Sequence, residues 1–154
     1  MTQYITTDFS DHPADWTSRY DTLGTWSVTG GDLGLSAGKS NDWRVLSWND
    51  IDADANRDNV EVLALVRFVS LSGTNHFLTV RGSGADESAT LYSVAATSST
   101  LRLYYCSGSD FPNLINSSSF TISGSTDYWV RFRVDATSLK ARIWADGESE
   151  PGAG

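Results

Sequence analysis

The chain has 154 residues, enough for one domain with a real core and too few for a second domain of usual size. Nineteen acidic against eleven basic residues give a formal charge of -8, which speaks against gripping a phosphate backbone or an anionic membrane, so neither a nucleic-acid nor a membrane partner is expected. A single cysteine, Cys106, excludes an internal disulfide and a cysteine-held zinc or iron–sulfur centre, while six Trp, six Tyr and six Phe set among Ser, Thr and Gly favour sheet over helix.

The opening MTQYITTDFSDH lacks the basic start and apolar run of a secretory signal, and no stretch approaches the roughly 18 apolar residues of a membrane span. TWSVTGGDLGLSAG at 25–38 predicts two short strands around a Gly30-Gly31 turn, and WRVLSW at 43–48 predicts another. Trp16, Trp26 and Trp48 read as anchors of a core or sheet edge. Trp43, in the polar loop from Ser40 to Arg44, reads as exposed and available for binding.

Between residues 50 and 61, oxygen donors fall at Asp50, Asp52, Asp54, Asn56, Asp58 and Glu61, near the spacing of an EF-hand calcium loop. Ala55 stands where that loop needs a turn glycine, Arg57 stands at its apolar position, and the flanks read as strands, so an EF-hand domain is excluded. Two readings stay open: a calcium-holding loop in a β context, or a solvated acidic connector in which Glu61 begins the next strand.

That strand is EVLALVRF at 61–68, with Val62, Ala64, Val66 and Phe68 on one face and Glu61, Leu63, Leu65 and Arg67 on the other; it reads as a central strand, largely apolar on both sides. Runs at 76–82, 89–95 and 101–106 predict three more strands separated by turn-forming clusters. Cys106 closes the last of these and reads as a small buried side chain with no basic neighbour to activate it. Asn116-Ser117-Ser118 matches a glycosylation sequon, a pattern short enough to arise by chance.

The strongest signal lies at 128–147. Tyr128, Val130, Phe132 and Val134 alternate with Trp129, Arg131, Arg133 and Asp135; a turn follows at 135–138, and Leu139, Ala141 and Ile143 then alternate with Lys140, Arg142 and Trp144. The hairpin so predicted carries one apolar face and one face bearing Trp129, Arg131, Arg133, Lys140, Arg142 and Trp144. Arginine forks and tryptophan rings suit an acidic glycan; the competing reading is a charged outer face whose long side chains pair with the many carboxylates. No segment offers ten residues of helical periodicity, and roughly nine to eleven short strands ask for two packed sheets.

Several residues carry the resemblance to a known family: Asp8-Phe9, Trp16, Trp26-x-Val28, Leu33-x-Leu35, Trp48, the run from Glu61 to Arg67, then Tyr128 to Val134, Leu139 to Gly147, and Glu150-Pro151. In this order they resemble concanavalin A-like (laminin G-like) jelly-roll domains of bacteriophage tail and virion proteins, most specifically over 128–151. The resemblance implies an all-β, antiparallel two-sheet jelly-roll sandwich over residues 1–147, with 148–154 a flexible tail or connector. Members of the family continue past the Glu-Pro segment with a Trp and closing strands, whereas this sequence ends at Gly154. The resemblance thus leaves two expectations open: a domain cut before its closing strands, with 148–154 a truncated connector to them, or sheets completed by another chain that adds a strand at the open edge. A virion or extracellular particle surface is the implied location.

Because this fold hosts lectins, hydrolases and inert structural modules, it does not fix an activity. His12 and His76 have no ligand-spaced neighbour or nucleophile beside them, and the Glu-x-Asp-x-Glu strand of sandwich hydrolases is absent. Glu148-x-Glu150 lies in a Gly/Pro tail, and a split pair such as Glu61 and Glu87 has no positive support. The sequence therefore predicts a non-catalytic structural or decoration module contacting other virion proteins or copies of itself. The alternatives are a carbohydrate- or receptor-binding module for bacterial surface glycan and, last, a glycoside hydrolase. No cofactor beyond calcium in the Asp50 loop is expected.

Overall fold

The computed structural model of the chain describes residues 16–18, 26–29, 32–35, 46–48, 59–68, 73–83, 90–107 and 113–152. The chain divides into two compact units, Met1–Ala53 and Asp54–Gly154. In the first, β1 (Trp16–Ser18) pairs antiparallel with β4 (Leu46–Trp48), setting Trp16 opposite Trp48 in register. The predicted hairpin around Gly30-Gly31 is present there as β2 (Trp26–Thr29) paired with β3 (Asp32–Leu35).

The second unit is an all-β sandwich of two antiparallel sheets, with no helix among the described residues. A three-stranded sheet is formed by β5 (Asn59–Arg67), β10 (Asp127–Asp135) and β11 (Ser138–Ala145), in the order β11-β10-β5. A four-stranded meander is formed by β6 (Asn75–Ser83), β7 (Thr90–Ala96), β8 (Thr100–Ser107) and β9 (Asn113–Ser119). β10 holds the middle of the three-stranded sheet. β5, expected to be central, stands at the end of that sheet among the described strands, paired with β10 alone.

Strict alternation builds the core. Four rungs cross the inner face of the three-stranded sheet: Val66-Tyr128-Ala145, Ala64-Val130-Ile143, Val62-Phe132-Ala141 and Val60-Val134-Leu139. Val130, Phe132 and Val134 are wholly enclosed, and they pack with Val80, Val94, Ala96 and Leu101 of the facing sheet. Phe68, Phe77, Phe120 and Tyr128 join this core through ring contacts: Phe68 meets Phe77 edge-on at 5.2 Å and Phe120 meets Tyr128 at 5.9 Å. The Tyr128 hydroxyl accepts a 2.8 Å bond from the Ser123 amide, so its polar end is satisfied.

The two sheets differ on their other faces. On the four-stranded sheet Leu91, Ser93, Ala95, Tyr104 and Cys106 are buried as well, so β7 and β8 are enclosed on both sides. Burial pushes the Cys106 thiol pKa up, against a smaller opposing effect of a hydrogen bond with Ser93, as expected of an inert core cysteine. On the three-stranded sheet the outer face lies open, and that asymmetry directs attention to it.

Candidate functional site

Because inner and outer residues alternate, the outer face of β5-β10-β11 is fixed by the same register as the core. Its rungs, in order, are Arg67-Asp127, Leu65-Trp129-Trp144, Leu63-Arg131-Arg142, Glu61-Arg133-Lys140 and Asn59-Asp135-Ser138. All six predicted residues of the hairpin face thus share one surface: Trp129, Arg131, Arg133, Lys140, Arg142 and Trp144. Trp43, Asp50, Asp52, Asp54, Asn56 and Asp58 lie outside the described residues. Among the described residues, no group of three His, Cys, Asp or Glu side chains is placed to hold a metal ion.

The register creates an electrostatic problem, since Arg131 faces Arg142 and Arg133 faces Lys140 across adjacent strands, where like charges repel. Carboxylates resolve most of it. Glu61, the end of the acidic run, pairs with Arg131. Asp135 accepts a 2.8 Å bond from Arg133. Past β11 the chain turns at Gly147, whose φ of +86° suits glycine, and returns over the sheet. There Glu150 Oε1 sits 2.6 Å from an Arg142 terminal nitrogen and 3.0 Å from Arg131 Nε.

That last contact is electrostatic more than directional: Arg131 Nε is buried and is not hydrogen-bonded by the carboxylate beside it. The Arg142 hydrogen bond, with the Arg131 charge adding to it, holds the Glu150 carboxyl below the ordinary carboxylate range. At the far end Arg67 grips Asp127 through two 2.5 Å bonds, which likewise depress the Asp127 pKa.

An open groove of about 510 Å³ runs along these groups, lined by Glu61, Arg131, Arg133, Asp135, Ser138, Lys140, Arg142 and Glu150. Four cations against three carboxylates leave the groove one positive charge in a chain of charge -8. Lys140 makes no ion pair among the described residues. Beside the groove lies an apolar row. Leu63 and Leu65 keep 47% and 49% of their surface exposed next to the half-buried Trp129 and Trp144, and the Trp129 indole donates to Asp146 Oδ1 at 2.8 Å.

Glu61 and Glu150 therefore meet at one guanidinium, a pairing that invites comparison with the two carboxylates of a sandwich glycosidase. Such an enzyme keeps one carboxyl protonated by a raised pKa, a role that the lowered Glu150 carboxyl does not fill.

Glu150 is the member of this site that the sequence reading missed, having been assigned to a tail. Its one signal is spacing: Arg142 lies three residues before the end of β11 and Glu150 five beyond it, which fits a chain doubling back. Leu63 and Leu65, expected on the second apolar face of a central strand, stand instead half-exposed on the outer face of β5.

The sequence matches no family model and no curated protein, and the structure matches no solved structure. The site must be read from its own chemistry.

Proposed function

We propose that the chain is a non-catalytic structural module that acts through protein–protein contacts on the outer face of its three-stranded sheet. One observation carries this reading: an open sheet face presents two half-exposed leucines and two tryptophans beside arginines that carboxylates already hold. Aromatic rings and arginine are enriched where protein interfaces form, and an exposed apolar row rimmed by charge marks such a surface. The resemblance to phage virion jelly-rolls supports placing the module in a tail or capsid, on a particle surface, among other virion proteins or copies of itself.

A second reading, glycan binding, is favoured by the Trp129-Trp144 row, since indole faces stack on sugar rings. It is weakened by the prior engagement of Arg131, Arg133 and Arg142 with carboxylates.

Incorporation of tagged chain into the purified particle, with and without Leu65→Asp, tests the proposal. The wild type is expected in fixed stoichiometry and the variant, folded by circular dichroism, to be absent. Saturable binding of bacterial surface glycan that Trp144→Ala removes, with Leu65→Asp still incorporated, would transfer the function to the second reading.

A further inference from the structure

The arm that follows β11 is tied to the sheet by little. Asp146 is fastened to β10, its amide to Asp127 O at 2.9 Å and its carboxylate to the Trp129 indole at 2.8 Å. Beyond it residues 147–149 and 151–152 are exposed, and the backbone makes one bond among the described residues, the turn bond from Glu148 N to Ala145 O at 3.1 Å. What remains is Glu150, one of whose oxygens is shared between Arg131 and Arg142. Partly exposed ion pairs of this kind add little to stability, because water and salt screen them. Docking within one molecule is therefore shallow, and Gly147 supplies a hinge.

The charge match is also incomplete. The arm carries a second carboxylate, Glu148, exposed and in no ion pair among the described residues. The groove carries the unmatched Lys140, and Arg131 keeps a buried donor without a hydrogen bond. Within one chain Glu148 is held at the turn beside Ala145, several residues along β11 from Lys140. An arm arriving from another molecule has no such tether and can satisfy both ends. Arm and groove are complementary in charge and sit on the same chain, the condition for a self-complementary, two-fold pairing.

We propose that two copies of the chain pair by exchanging these arms, Glu150 of each seated between Arg131 and Arg142 of the other. The exposed Leu63 and Leu65 rungs beside the fork add apolar contact to the pairing. This rests on the reading of the outer face as a protein-contact surface and names its partner as a second copy.

Light scattering on the full chain from about 1 µM to about 1 mM should show a concentration-dependent dimer. Glu150→Gln should weaken it about tenfold, and added salt should weaken it further. The decisive arm uses Glu150→Arg and Arg142→Glu. Each alone sets like charges together both within and between molecules and should be monomeric. Mixed, they restore attraction only between molecules, and a mixed dimer is expected. Wild type that stays monomeric throughout, or a mixture that does not pair, overturns arm exchange. If Leu65→Asp still removes the chain from its particle, the contact-surface reading survives that failure.

Discussion

Ala136 adopts a φ of +49° in the two-residue turn joining β10 to β11, a left-handed conformation in which a Cβ crowds the following carbonyl. Two-residue hairpin turns with a positive φ at the first position alone favour Gly there, yet this one is Ala-Thr, its Ala136 amide held by Asn59 Oδ1 at 2.9 Å. Ala136→Gly is expected to raise stability by about 1 kcal/mol, read as a higher urea midpoint at unchanged slope. Phe132 shows the opposite sensitivity. It is wholly enclosed at the centre of β10, so Phe132→Ala should cost about 3 to 5 kcal/mol in the same measurement. Leu63→Ala, on the open face, should stay within about 1 kcal/mol, and a loss as large as that of Phe132→Ala would mean the outer face is covered in the isolated chain.

At the scale of elements, the arm and the sheet are coupled through ionisation. The Glu150 carboxyl is lowered in the folded state, so its contribution is present above the ordinary glutamate pKa near 4.3 and is lost as pH falls through the lowered value. The ion pair should thus persist at neutral pH and be lost only in acid, whether the arm lies on its own sheet or on that of a second copy. A carboxyl-carbon NMR titration should place the Glu150 midpoint below the ordinary range, and Arg142→Ala should move it back up. A midpoint unmoved by Arg142→Ala would dissociate Glu150 from the fork. Strands with regular alternation, β5, β10 and β11, were legible because a buried inner face and a solvated outer face impose a period of two. β9 was not: Asn113–Ser119 is exposed throughout and mostly Asn and Ser, with no apolar alternation to mark a strand. β9 exists because β8 offers it a backbone ladder, and a ladder leaves no mark in side-chain pattern.

For the whole molecule, the division at Ala53/Asp54 gives a test of its own. Asp54–Gly154 contains the complete described core between two sheets, so expressed alone it should show a sheet spectrum and one cooperative unfolding transition. A disordered product would mean that this core depends on Met1–Ala53. The sequence by itself determined the all-β class, the hairpin of β10 and β11, and which of their residues share a face, since alternation and turn chemistry are local. It could not determine that β10 is the middle strand and β5 stands beyond it, nor that Glu61 and Glu150 meet on Arg131 from opposite ends of the unit. Those facts depend on which strands pair across long stretches of chain, and pairing is chosen by the joint burial of two sheets, a quantity no single segment carries.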